Sequence, residues 1–220
     1  MRFTATALTL VLFFGQFVNG QDNKENITIE VDKTKIKIPV PSGFVAAKSK
    51  LKSMATYMER NTPGNSLHEL FADKDVTEES YRKNGLVRNL DVQTVKSLNN
   101  KMTQTTFDGV KGLLTRQFDQ MMNDVLKKIN KDDDTVETIN KSQSGAFVDE
   151  DDSYAYLFFS SIKTEKGNVE RASAAAICFI KGNMVMLNVH SNISSKKDVE
   201  WVKETSKKWL EATLKANGDE

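Results

Sequence analysis

Three stretches late in this sequence, Tyr154–Phe159, Ala174–Ile180 and Met184–Val189, are largely apolar at odd and even positions alike. A strand with one wet face alternates apolar and polar residues, whereas a run apolar at both parities needs cover on both sides. No other feature restricts the fold as much, because a sheet holding these strands has to be sandwiched. Gly167-Asn168 and Gly182-Asn183 fall at the joints and suit the positive backbone dihedrals of tight hairpins. An antiparallel meander is therefore expected, with strands near 153–164, 169–180 and 183–191, preceded by a strand near 136–148.

The cover has to come from the rest of the chain. Ile27-Thr28-Ile29-Glu30-Val31 and Ile36-Lys37-Ile38-Pro39-Val40 alternate about an Asp32-Lys33-Thr34 turn, the pattern of a β-hairpin. Pro39 and Pro41 lack the N–H that a ladder requires and end the pairing, and Gly43 lets the chain change direction. Leu51, Met54, Ala55 and Met58 share one face of a helix expected over Lys48–Arg60. Residues 67–76 and 86–98 read as extended, although Leu67–Phe71 also fits a helix; a charged helical turn at 78–83 and a break at Gly85 separate them. Phe107, Val110, Leu114, Phe118, Met121, Met122, Val125 and Ile129 recur every three or four residues behind Thr105 or Thr106 as N-cap, which predicts a long helix with one buried face.

The last expected element is a helix from Lys196 to Ala216, opened by Ser195 with Asp198 three residues on and stopped by Asn217-Gly218. Val199, Val202, Ser206, Trp209, Leu210 and Thr213 form its inward stripe. These elements add up to an α+β three-layer sandwich: a mostly antiparallel sheet of six or seven strands with a helix packed on each face.

Residues 1–20 run from one cation, Arg2, through the apolar Ala7–Phe14 to a small residue at the end of Val18-Asn19-Gly20, the order of a cleavable secretory signal. The apolar run falls short of the roughly 20 residues a membrane-spanning helix needs, and no later run reaches that length. Residues 21–220 are accordingly expected to be a single globular domain, periplasmic or secreted, with no transmembrane segment in the mature chain. The chain has 31 Lys and Arg against 30 Asp and Glu, so loss of Arg2 leaves the charges balanced. Such a balance offers no electrostatic footprint for nucleic acid. Cys178 is the only cysteine, so no intramolecular disulfide can form and the apolar core has to hold the fold.

The final hairpin and helix, Met184-Val185-Met186-Leu187-Asn188-Val189-His190, then Asp198-Val199-Glu200-Trp201, Trp209-Leu210 and Ala216-Asn217, resemble a group of uncharacterised secreted bacterial proteins. That likeness also takes in Asn65–Ala72 and Asn89–Leu98. In architecture alone, the same ending is similar to the sandwich fold of the photosystem extrinsic protein PsbP and the Ran-binding Mog proteins. The resemblance implies an accessory or partner-binding role and brings no catalytic motif with it.

The chemistry-bearing residues are few. His68 and His190 are the only histidines, and no HExxH, CxxC or EF-hand spacing provides metal ligands. His190, beside Asn188 and Asn192 at the end of an apolar strand, reads either as a general base in a cleft or as a strand-end histidine bonded to a loop. Cys178, within Ala174–Ile180, reads as a buried structural thiol rather than a nucleophile, which needs exposure and a cationic neighbour. There is no GxSxG elbow and no phosphate-cradling Gly loop, and the scattered Ser-x-x-Lys matches lack their companion motifs. Asp132-Asp133-Asp134 and Asp149-Glu150-Asp151-Asp152 read as solvated turns or as weak calcium loops. Tyr154, Tyr156, Phe158 and Phe159, with Met184 and Met186, fit core packing or the lining of a ligand pocket. Trp201 projects about 130° away from the inward stripe of its helix at 100° per residue. It is therefore expected at the surface or on a flank, as a partner contact or packed on its own surroundings, with little loss of stability on truncation.

No catalytic, cofactor-binding or metal-binding set is expected from these residues. Trp201 stands as the candidate partner contact, and His190 with Asn188 as the candidate cleft. The function these observations favour is an exported, non-enzymatic accessory domain that binds an envelope or extracellular partner, itself unidentified. The alternatives are a small-molecule or lipid-binding protein with a pocket beneath the 106–129 helix, and a hydrolase using a carboxylate or His190 in a cleft.

Overall fold

Asp32 and Lys33 both take positive φ, +46° and +65°, so the chain reverses through a two-residue turn whose twist matches that of its flanking strands. Strands β1 (Asn26–Val31) and β2 (Thr34–Pro39) pair in register across it and form a small separate sheet. The computed structural model describes residues 25–98, 102–128, 144–164 and 167–218. The expected export signal, the Asp132–Asp134 turn and the start of the 136–148 strand lie outside the described residues, as do the side chains of Phe118, Met121, Met122, Val125 and Ile129.

After β3 (Phe44–Ala46) come α1 (Lys52–Asn61), β4 (Asn65–Asp73), α2 (Glu78–Asn84), β5 (Arg88–Val95), a short 3-10 turn at Lys96–Leu98, and α3 (Gln104–Lys128). The second half runs β6 (Gly145–Glu150), β7 (Ser153–Thr164), β8 (Gly167–Ile180), β9 (Asn183–Asn192) and α4 (Lys196–Asn217). Seven strands pair antiparallel in the order β3-β4-β5-β9-β8-β7-β6, so β5 and β9 join the two halves of the chain at mid-sheet.

Several boundaries differ from expectation for identifiable reasons. The helix expected from Lys48 starts at Lys52, with Leu51 fully buried just before it. Leu67–Phe71 lies inside β4, as the extended reading has it and not the helical alternative, since the demand for paired neighbours outweighs local helical periodicity. The hydroxyl that caps α3 belongs to Thr103, which accepts from the Thr106 N–H at 3.2 Å. Gly167 and Asn168 are paired in β8, opposite Thr164 and Lys163, rather than forming a turn. The following turn is Lys181-Gly182, again with both φ positive, and Asn183 begins β9.

One face of the sheet carries α4 and the β1–β2 hairpin. Leu90, Val92, Leu187, Val189, Ala174 and Ala176 point that way, and Phe71 meets Trp209 edge to face at 5.6 Å between ring centroids. The inward stripe of α4 is as expected, with Val199, Val202, Ser206, Trp209, Leu210 and Thr213 all buried. The opposite face carries α1, α2 and α3. There Phe107 stacks on Phe179 at 5.5 Å, and the Thr115 and Tyr154 hydroxyls meet at 2.8 Å. Leu70, Ala72, Leu51, Met54 and Leu86 form a smaller core beneath α1. Tyr154–Leu157 are buried at every position, and both faces of β8 and β9 are covered, as a sandwiched sheet requires.

Candidate functional site

Strand register, rather than nearness in sequence, assembles a polar seam on the α1–α3 face. Asn89, Asp91 and Gln93 alternate with Leu90 and Val92 on β5, and Asn188 and His190 alternate with Leu187 and Val189 on β9. Pairing sets Asn89 opposite His190 and Asp91 opposite Asn188, while His190 stands opposite Ser173 of β8. Directly opposed residues share a face, so these groups collect together. One row along, Ser160 of β7, Arg171 of β8 and Asn192 of β9 are opposed in the same way.

Asp91 is the fixed point of the seam. Its side chain is fully buried, and Oδ1 accepts from Gln93 Nε2 at 2.7 Å and from Asn188 Nδ2 at 2.8 Å. Oδ2 lies 3.1 Å from His190 Nε2. A carboxylate only accepts, so Nε2 carries the proton, and in the neutral ring Nδ1 accepts from the Ser173 hydroxyl at 2.8 Å. Ser173, His190 and Asp91 thus form one hydrogen-bonded series across three strands.

Above the seam α1 and α2 leave a cavity of about 440 Å³. Met54, Met58, Tyr81 and Leu86 give it apolar walls, and Tyr57, 60% exposed, stands at its rim. Asn89, Arg171, Ser173 and His190 supply the polar floor, with Phe158 beside them. Arg171 Nη2 donates to Asn89 Oδ1, while its Nε is buried without a hydrogen-bond partner. Burial pulls the guanidinium below its ordinary pKa, and the charge of Asp91 opposes that pull. The volume falls within the range that small-molecule sites occupy.

His190, singled out in the sequence, is therefore bonded within the sheet rather than to a loop, and its side chain is 21% exposed where it lines the cavity. Asn188 does not line the cavity; it holds Asp91 from the side. Trp201 lies on the other face, half-buried on the flank of α4, with the Arg88 guanidinium 4.3 Å from its ring and Phe44 at 6.1 Å. The two candidate sites are not brought together. Sequence reasoning missed Asp91, Arg171 and Ser173, although the alternation of Asn89, Asp91 and Gln93, and that of Asn188, His190 and Asn192, each marks a polar strand face. The cavity lies against α1 and α2, away from the α3 position considered for a pocket. Tyr154 and Tyr156 are core residues, and Phe158 alone of the four singled-out aromatics lines the cavity.

Two other sequence candidates occupy plain positions. Cys178 is fully buried, donates to the Val185 carbonyl at 3.6 Å, and has its thiol pKa pushed up by burial and then by Asp152. In the Asp149–Asp152 run, Asp149 and Glu150 end β6 and Asp151-Asp152 make the turn into β7; Lys111 of α3 reaches Asp149 at 3.2 Å and the Glu150 carbonyl at 2.8 Å.

No protein-family model matches this chain, and no curated protein matches it in sequence. Among solved structures it is similar to the Saccharomyces cerevisiae Ran-binding protein Mog1p, at 10% identity and a TM-score of 0.35, over 88% of this chain and 93% of that one. A point mutant of protein Mog1 gives 9% identity and 0.34 over the same shares. Likeness at this level carries no argument about the site.

Proposed function

We propose that this chain is an exported, non-enzymatic binding domain whose ligand seat is the cavity between α1, α2 and the sheet. The observation that carries the reading is the pairing of apolar walls with a polar floor fixed from beneath: Asp91 holds His190, and His190 holds Ser173. Such a floor sets the orientation of a ligand's polar end, and the walls supply the burial. Export rests on the order of Arg2, Ala7–Phe14 and Gly20. The partner is then an envelope or extracellular component able to deliver or receive a small molecule. Protein purified without denaturation is expected to carry a stoichiometric small-molecule mass in native mass spectrometry, and Ser160→Trp, which fills the cavity, to lose it while staying folded. Protein that carries no such mass and whose melting temperature responds to no compound in a broad panel overturns the reading.

A hydrolytic reading has one observation in its favour, the order of hydroxyl, imidazole and carboxylate in Ser173, His190 and Asp91. It stands second because Ser173 is buried in mid-strand, where β7 and β9 occupy the backbone groups that an oxyanion would need. Ester hydrolysis abolished by Ser173→Ala and by His190→Ala would reverse that order.

A further inference from the structure

We infer that the cavity takes an amphipathic anion, its carboxylate or phosphate monoester headgroup held at Arg171 and its apolar body laid against α1 and α2. This rests on the reading of the cavity as the ligand seat.

Among the described residues Arg171 is the only formally charged group lining the cavity, and it makes no ion pair. The carboxylate whose charge reaches it, Asp91, already receives hydrogen bonds from Gln93, Asn188 and His190. A guanidinium withdrawn from water without a carboxylate of its own is costly, and an incoming anion relieves that cost. Its planar donor fork suits the paired oxygens of a carboxylate or phosphate. Register supplies further hydrogen-bonding groups around it: Ser160 and Asn192 flank Arg171 in its own row, and Ser173 and His190 stand in the next. Among the described residues no Asp or Glu lines the cavity, and Asp91, beneath the floor, is neutralised in part by the donors that hold it.

The opposite wall is of different chemistry. Met54 and Met58 are flexible, polarizable side chains that adapt to an irregular apolar body, and Leu86 continues their surface. Tyr57 and Tyr81 add aromatic faces, with Tyr57 exposed at the point of entry. A head-and-tail molecule satisfies both ends. A wholly apolar one leaves Arg171 uncompensated, and a cation meets a like charge.

The test titrates the full-length protein by calorimetry with four probes of one chain length: decanoate, decyl phosphate, 1-decanol and decylammonium. The two anions are expected to bind about tenfold or more tighter than the alcohol, with the cation weakest. The better of the two anions assigns the headgroup as carboxylate or phosphate. Arg171→Gln is expected to erase the preference and Arg171→Lys to retain part of it; the selectivity of the wild type tests the idea even if Arg171→Gln fails to fold. Alcohol and anions binding equally would overturn the headgroup inference and leave the ligand seat standing. Absence of binding by all four, together with a cavity-filled variant indistinguishable from wild type, would remove the ligand seat itself.

Discussion

Removing the carboxylate of Asp91 strands three donors, from Gln93, Asn188 and His190, around a position that is itself fully buried. Each unsatisfied buried partner costs on the order of 1–3 kcal/mol, so Asp91→Ala is expected to lower the unfolding free energy by about 3 kcal/mol or more. Asp91→Asn keeps acceptor capacity and should cost clearly less, a ranking that urea denaturation measures directly. Were the two substitutions to cost the same, the hydrogen bonds would not be what holds the seam. His68 is the counter-case. It bonds Thr94 Oγ1 at 2.8 Å, and its pKa is lowered by burial and then by Lys48, but it lies outside the cavity.

Helix α4 shows how local chemistry and packing divide the work of one element. At its start, burial by itself would raise the Asp198 carboxyl, but bonds from the Ser194 hydroxyl and N–H, the Ser195 N–H and Arg88 outweigh it and hold the pKa at about 2. A folded-state pKa below the unfolded one means stabilisation that is complete above the ordinary value of 3.8 and is lost as pH falls from there through about 2. Asp198→Asn is expected to flatten the pH dependence of the melting temperature across that window and to cost about 0.5–2 kcal/mol at neutral pH. Further along, Trp209 donates to the Pro39 carbonyl at 2.8 Å, and the Asn217 amide bonds both the N–H and the carbonyl of Lys37, tying the hairpin to the helix. Trp209→Ala should therefore cost about 3–5 kcal/mol as a large-to-small core change. Trp201→Ala loses the contacts to Phe44 and Arg88 and half-buried packing at the edge of the core, and should cost about 1–2 kcal/mol, more than its position off the stripe implied. Equal losses in the two variants, read by chemical denaturation, would show that the flank packs as tightly as the core.

At the scale of the molecule, the buried Cys178 reports on the opening of the sandwich. Its thiol lies against Val185 in the central strands, with its pKa raised by burial, so alkylation by iodoacetamide is expected to require large-scale opening. Its rate should follow global stability across denaturant, and labelling as fast as that of a free thiol in buffer would show the α4 layer to be loose.

How much of this was legible follows from the range of each interaction. Apolar periodicity reports burial directly, so the doubly covered strands of the meander, the α4 stripe and the first hairpin could be read from residues close in sequence. Turn positions slipped by a residue or two, since Gly167-Asn168 and Lys181-Gly182 differ in which pair the ladder register admits. The seam was beyond local reading, because Asp91 and His190 are 99 residues apart and meet only through the β5–β9 pairing. Their alternation marks a polar face and leaves open whether that face is wet. The sequence by itself determined the layers and their inward faces, because burial is written residue by residue into its pattern. Only the tertiary structure decided which polar residues meet and what covers them, because long-range register and the stand-off of α1 and α2 depend on the whole chain at once.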